Sequence, residues 1–344
     1  MPLPLIPLII GGAAAAAGAA GVGAGIHGAV KMKDAKDTME SANRRHQQNI
    51  ARFEEENEST TVWMDELGTL ELKILTGFDR FIEVFEKIHN KPEFETIHKD
   101  GVELPKYNKE ELRNVSVGAG VLLGGLGGAA AGTAGGFAAA GATSAAVMAL
   151  GTASTGTAIA SLSGAAATNA TLAALGGGAL AAGGGGMALG SAILGGATLG
   201  VGLLVGGIIF NVTGKKLSEK ADEAWYQMKR AEEEIDRICA YLVELGGAAI
   251  EYYASLSDVN DLYEDNFGVL DNMVNRLGRT DYDTFSEKER LVLENTVLLV
   301  TLLYEMCKVK LVLQSGGDGM NRINYVDIDE MQSKVVAVQE KIHS

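Results

Sequence analysis

The sequence contains a long central block without a formal charge, from residue 114 to residue 214. All 29 Lys and Arg residues and all 44 Asp and Glu residues lie outside this block, which holds no proline and more than half of the 45 glycines. A second uncharged stretch runs from residue 2 to residue 30. Because a helix of about 20 apolar residues spans a bilayer, the chain has to bury these segments in a helical core or place them in a membrane.

Glycine recurs at every fourth position near the start of the block. On a helix, five of these glycines form a single stripe: Gly120, Gly124, Gly128, Gly132 and Gly136. Each interior glycine costs a water-exposed helix about 1 kcal/mol relative to alanine, whereas in lipid it lets two helix backbones pack closely. The spacing predicts a helix-packing or oligomerisation face, and it recurs later in three pairs: Gly186 and Gly190, Gly196 and Gly200, and Gly202 and Gly206.

The two most apolar parts of the block are residues 116–140 and 187–210. As the two arms of a hairpin, these parts predict a Gly/Ala-rich pair of helices that enters a bilayer. Two alternatives remain open from the residues alone. The block could form a permanently buried Gly/Ala core inside a soluble helical bundle, or it could be a low-complexity segment that associates with other copies.

Basic residues flank the uncharged segments. Lys31, Lys33 and Lys36 follow the N-terminal stretch, Lys106, Lys109 and Arg113 precede the central block, and Lys215, Lys216 and Lys220 follow it. Since Lys and Arg favour the cytoplasmic side of a membrane, we expect all three clusters on one face, where they contact anionic headgroups. The central block then crosses the membrane an even number of times.

The charged flanks show helical periodicity. One apolar face contains Leu67, Leu70, Ile74, Phe78, Phe81, Phe85 and Ile88. Another follows strict four-three spacing through Leu217, Ala221, Ala224, Met228, Ala231, Ile235, Ile238, Leu242 and Leu245, as in a coiled coil. Ser286 and Glu289 form a capping box that predicts the start of a further helix. Strand signals are sparse, so the sequence predicts an all-α fold, a long antiparallel helical bundle or coiled coil with a central hydrophobic helical hairpin.

This division predicts four regions. Residues 1–30 are an apolar N-terminal segment and 31–113 an amphipathic helical region. Residues 114–214 are the glycine-zipper region that inserts into a membrane, and 215–344 form a C-terminal helical bundle.

Residues typical of catalysis do not form a recognisable pattern. Residues 23–28 match GxGxxG, but polyalanine precedes them where a dinucleotide site needs a strand. The five histidines are scattered, and we expect His46 at the surface. Cys239 and Cys307 lack metal-ligand spacing and are expected as free thiols. A net charge of −15 argues against a nucleic-acid partner. We therefore expect no enzyme activity, catalytic residue, cofactor, metal site or small-molecule substrate.

Amphipathic helices around an uncharged glycine-zipper hairpin resemble α-helical pore-forming proteins. Colicin-type pore domains, haemolysin-type helical toxins and the apolipoprotein L family share this layout, and the resemblance rests on residues 116–140 and 187–210 with their flanking heptads. It implies a homo-oligomer that permeabilises or remodels a bilayer, either permanently membrane-associated or inserting from a soluble form. A membrane-anchored coiled-coil scaffold without pore activity is the alternative.

Overall fold

The computed structural model describes residues 22–94, 97–99, 102–104, 108–116, 119, 217–313 and 322–343. These form the helices α1 (Val22–Glu86), α2 (109–116), α3 (Leu217–Asp271), α4 (Glu287–Met306) and α5 (Tyr325–His343). Two short antiparallel hairpins pair β1 (Ile97–Lys99) with β2 (Val102–Leu104), and β3 (Val312–Leu313) with β4 (Arg322–Ile323). The predicted all-α class is confirmed.

The two long helices, α1 and α3, run parallel to each other. The hydrogen bonds that join them link residues 187, 184, 182 and 188 positions apart, in order along α1: Arg45–Glu232, Arg52–Asp236, Thr60–Leu242 and Lys87–Asn275. In an antiparallel pair, the difference in residue number between contacting residues would fall by two for each residue along α1. The nearly constant difference observed here requires a parallel pair. The predicted antiparallel arrangement of these two helices is wrong.

The physical reason lies in the length of the connection. Short loops make consecutive helices antiparallel because the chain has to turn back at once. Residues 87–216 separate α1 from α3, and a segment of that length can return to the end where α1 began. The apolar spacing predicted the contacting face of α3 and that of α1 from Leu67 to Phe85, but it contained no information about the relative direction of the helices.

Later helices build a compact body around the final part of the α1–α3 pair. A π-helical turn (Asn272–Arg276) and a 3-10 turn (Tyr282–Thr284) end α3 and reverse the chain into α4. Tyr252 near the middle of α3 donates a 2.8 Å hydrogen bond to the carbonyl of Met306 at the end of α4, so α3 and α4 are antiparallel. Ser255 bonds to Gln332 of α5 at 2.9 Å.

The apolar core lies in this four-helix body. The predicted stripe on α1 is buried there from Leu67 to Ile88, with Leu70 partly buried. Phe81 packs edge-on against Phe267 of α3, with ring centroids 6.4 Å apart. α2 packs antiparallel to α1, because Ser116 donates to the carbonyl of Thr76 at 2.9 Å.

Glycine permits one close approach between the long helices. The hydroxyl of Thr60 donates to the carbonyl of Leu242 at 2.9 Å, and a Cβ atom on the buried Gly246 would lie 3.3 Å from the same hydroxyl oxygen. A larger residue at Gly246 would press on Thr60, whereas Gly247 has open space beside it, and α3 continues through both glycines without a break.

Candidate membrane interface

The first part of the α1–α3 pair extends beyond the four-helix body. With 20 residues, α4 spans about 30 Å, whereas α3 with 55 residues spans about 80 Å. We call residues 22–59 of α1 and 217–241 of α3 the stalk, and the remaining described residues the head. In the stalk, α1 and α3 pack against each other as a parallel pair.

The buried seam of the stalk is polar on the α1 side. Between residues 33 and 59 the buried residues are Ala35, Ala42, His46, Asn49, Phe53 and Asn57. His46, expected at the surface, is only 3% exposed, and that prediction is wrong. The opposite side is apolar, with Ala221, Ala224, Met228, Ala231, Ile235 and Ile238.

Buried asparagines weaken this seam but restrict its geometry. Asn49 Nδ2 and Asn57 Oδ1 are buried and have no hydrogen-bond partner among the described residues, which costs each of them part of its hydration energy. Buried asparagine in a coiled coil commonly fixes register and helix number at the expense of stability. The stalk is thus less stably packed than the head.

Ion pairs across the stalk contribute to its register. Arg45 Nε lies 2.8 Å from Glu232 Oε1, and Arg52 pairs with Asp236. The same carboxylate raises the pKa of Arg52, against the effect of burial. Because these groups are partly exposed, each pair contributes little to stability, but both are consistent only with the parallel offset.

The N-terminal uncharged segment and the last residues of the central block adjoin the stalk at the same end, whereas the first residues of the block adjoin α2 in the head. α1 continues from residues 1–21, and α3 continues from the central block. With the observed offset, Lys220 at the start of α3 lies level with residue 34 of α1, beside Lys33 and Lys36. Lys33 is exposed, and Lys36 forms an exposed pair with Glu40 at 3.7 Å. Lys31 precedes Lys33 by two residues in α1.

The third basic cluster lies in the head. Lys109 pairs with Glu86, and Arg113 Nη2 lies 3.7 Å from the same carboxylate at the end of α1. Glu86 is about 80 Å from Lys33 along the helix. Among the described residues, the structure therefore places position 220 level with the Lys33–Lys36 segment of α1 and places Lys109 and Arg113 far from both.

The remaining predicted residues lie outside the described residues. These are Lys106, Lys215 and Lys216 of the basic clusters and all the glycines of the predicted packing face: Gly120, Gly124, Gly128, Gly132, Gly136, Gly186, Gly190, Gly196, Gly200, Gly202 and Gly206. Their roles stay predictions.

Buried ionisable groups occur in the head. Glu71 is fully buried near Tyr252 and Cys307, and burial is the main cause that raises the pKa of both the Tyr252 phenol and the Cys307 thiol. Both cysteines are free thiols, as predicted, and the structure shows that both are buried. Asp65 lies on α1, as Glu71 does, and burial together with the neighbouring Glu66 raises the pKa of Asp65 to about 6.

Within the described ranges, His, Cys, Asp and Glu side chains form no group that could hold a metal ion. In the same part of the chain, no helix has both the length and the apolarity needed to cross a bilayer. Comparisons with protein-family models, with curated proteins and with solved structures found no match.

Sequence reasoning missed the shared end of the two uncharged segments and the polar seam of the stalk. The seam left a signal, since His46, Asn49, Phe53, Asn57 and Thr60 follow the spacing of a helix face in the sequence. Polar residues at such positions are usually assigned to a solvated face, which is why the pattern was not interpreted as a packing surface.

Proposed function

We propose that this chain is a membrane-inserting, self-associating helical protein that permeabilises or remodels a bilayer through its glycine-zipper hairpin. Its partners are a lipid bilayer and further copies of the chain, and it acts physically rather than as an enzyme. The helical flanks stay on the cytoplasmic face, either permanently or after release from a soluble form.

The observation that carries this proposal is the common end of the stalk. In the parallel pair the first described residues of α1 and α3, Val22 and Leu217, lie towards the same end of the stalk, so the uncharged chain that precedes each of them can enter one membrane. An antiparallel pair would hold them at opposite ends of a helix about 80 Å long.

The charges nearest to these segments support the same conclusion. Moving outward from the uncharged segments, the first charged side chains are Lys31 and Lys33 on α1, and Lys215 and Lys216 before α3. Acidic residues begin only at Asp34 and Glu219. Lysines that directly adjoin the uncharged segments in the sequence suit anionic headgroups, where each contributes about 1 kcal/mol. The proposed surface does not include Lys109 or Arg113.

Vesicle flotation and dye release test the proposal on the full chain. We expect the protein to float with vesicles that contain phosphatidylserine, to resist carbonate extraction and to release an enclosed dye. Binding without dye release would support the membrane-anchored scaffold instead. Failure to float with any vesicle would overturn both.

Lysine substitutions locate the surface. Replacing Lys31, Lys33, Lys215 and Lys216 together with glutamine should weaken flotation at least tenfold, because four headgroup contacts are lost. The matched control replaces four exposed head lysines with glutamine: Lys73, Lys109, Lys288 and Lys310. Equal loss of binding in both variants would show that only total charge matters.

Glycine substitutions separate assembly from binding. Replacing Gly124, Gly128 and Gly132 with leucine should preserve flotation but abolish oligomers and dye release, because leucine prevents close backbone packing. The control makes the same change at three glycines outside the ladder: Gly125, Gly127 and Gly135. Normal oligomers in the ladder variant would contradict the zipper.

A further inference from the structure

His46 lies inside the seam of the stalk, where it is only 3% exposed. The neighbouring Arg45 bonds to Glu232 and Arg52 pairs with Asp236, so His46 lies level with residues 230–233 of α3. Within about one turn of that level, the buried residues of α3 are all apolar: Met228, Ala231 and Ile235. The imidazole ring is therefore enclosed in a part of the seam that disfavours a charged side chain.

The acidic groups at the edges of this part of the seam already have cationic partners. Three ion pairs hold them: Arg45–Glu232 at 2.8 Å, Arg52–Asp236 and Arg237–Glu234. The other charged residues near this level are exposed: Arg44 on α1, and Lys229, Arg230 and Glu233 on α3. A proton on His46 would therefore add an unbalanced positive charge to the seam, directly after two arginines of the same sign.

The stalk has little packing that could hold it closed against such a charge. Alanines and buried asparagines make up much of its seam, and Asn49 Nδ2 and Asn57 Oδ1 have no hydrogen-bond partner among the described residues. Because the head buries far more apolar area, the stalk can open locally while the head stays folded.

The chemistry of the imidazole determines the pH range of this effect. Histidine in water takes up its proton at about pH 6.5. The closed stalk buries the neutral ring, whereas the open stalk exposes a ring that can bind the proton. His46 therefore stabilises the closed form fully above about pH 6.5, and this contribution is lost as the pH falls below that value.

The head responds to acid in the opposite direction. Burial, together with Glu66, raises the pKa of Asp65 to about 6, so the folded head gains stability as this carboxyl group takes up its proton. Carboxylates that pair with arginine stay charged at mildly acidic pH, so the ion pairs of the stalk persist there. Mild acid thus acts on the stalk through His46.

We propose that His46 is an acid switch of the stalk: below about pH 6 it binds a proton, and α1 and α3 separate along the stalk while the head stays folded. Separation exposes the apolar face of α3 from Ala221 to Ile238, beside the end where both long helices begin. This switch supplies a trigger for the proposed function, and only its use at a membrane rests on that function.

Distances between spin labels on the full chain test the switch without any membrane. One pair of labels lies in the stalk, at the exposed Gln47 and Glu233, and a second lies in the head, at the exposed Asp79 and Glu264. At pH 7.5, pulsed electron paramagnetic resonance should give one narrow distance for each pair. At pH 5 the stalk pair should show a longer, broader distance whose population has risen about tenfold, because the open form binds the proton. The head pair should not change, and an unchanged stalk distance overturns the proposal.

Two substitutions and one control assign the response to His46. His46→Leu removes the titrating group and suits the apolar side of the seam, so the stalk should stay closed at both pH values. His46→Arg places a permanent charge in the seam, so the longer distance should be present already at pH 7.5. His89→Gln, at an exposed position of the head, should keep the full response. A response that persists in His46→Leu, or that is lost in His89→Gln, overturns the assignment.

Vesicle flotation at both pH values separates the switch from the proposed function. A stalk that opens at pH 5 in a chain that binds no vesicle supports the switch and contradicts the membrane proposal. A chain that binds vesicles equally at both pH values with a closed stalk supports the membrane proposal and overturns the switch.

Discussion

Asp65 shows how one side chain can destabilise a helix pair at neutral pH. Its carboxyl group is largely buried, and burial, together with Glu66, raises its pKa from 3.8 to about 6. The folded chain therefore holds this proton more tightly than the unfolded chain. Stability from this residue is full below about pH 4 and is lost as the pH rises through about 6.

Replacing Asp65 with asparagine should remove this pH dependence. At pH 7.5 we expect the free energy of unfolding to rise by about 1–2 kcal/mol, a value reduced for the partial exposure of the group. At pH 4 the difference should vanish. Urea unfolding at both pH values measures it, and Asp79→Asn, at an exposed position of α1, is the control. An equal gain at both pH values would refute the assignment.

At the scale of single elements, the start of α4 is the boundary that local sequence determines most fully. Ser286 Oγ accepts from the backbone N–H of Glu289 at 3.4 Å, and Glu289 Oε2 accepts from the backbone N–H of Ser286 at 2.7 Å. This is the predicted capping box. Hydrogen bonds from Arg279 and from Ser286 lower the pKa of Glu289 to about 2.

Ser286→Ala should lower the free energy of unfolding by about 1 kcal/mol, because one backbone donor of α4 loses its acceptor. Glu289→Gln should have an effect that depends on pH. The carboxylate stabilises the fold above its ordinary pKa, and this contribution is lost as the pH falls towards 2. Urea titrations at pH 7 and pH 3 measure both variants. Ser333→Ala, on an exposed turn of α5, should change stability by less than about 0.5 kcal/mol.

Other elements needed information that lies far away in the chain. Taken alone, residues 258–286 predict a separate short helix that ends near Gly278, whereas in the structure α3 continues without interruption to Asp271 and then through a π-helical turn. The predicted end is confirmed, since Gly278 adopts a φ of 68° that favours glycine. No separate helix begins near residue 258, because Tyr252, Leu256 and Val259 continue the buried face of α3 through this region.

At the scale of the whole molecule, the parallel register can be measured directly. Spin labels at the exposed Gln47 and Glu233 should lie roughly 20 Å apart, because packed helix axes are about 8–10 Å apart and the labels extend outward. Labels at Gln47 and Glu264 should lie farther apart, at about 45 Å. Pulsed electron paramagnetic resonance on a background with Cys239 and Cys307 replaced by alanine gives both distances. A longer first distance than second would show an antiparallel pair.

The head and the stalk differ in what holds them together. The head buries large side chains of four helices, including Phe78, Phe81, Tyr263 and Phe267. The stalk has two helices with alanines and buried asparagines between them. Because hydrophobic stabilisation scales with the apolar area that is buried, the head supplies most of the stability, and the stalk is the part that can separate at least cost.

The sequence by itself determined the helical class, the contacting face of α3, the contacting face of α1 from Leu67 onward, the capping box of α4 and the two uncharged segments. Each of these follows from spacing or composition within a short stretch of chain. Only the tertiary structure decided that α1 and α3 are parallel, that His46 and Asn49 are buried, and that both long helices begin at the same end of the stalk while Lys109 and Arg113 lie in the head. Direction and shared ends depend on how residues 87–216 return through space, and no local pattern encodes that path.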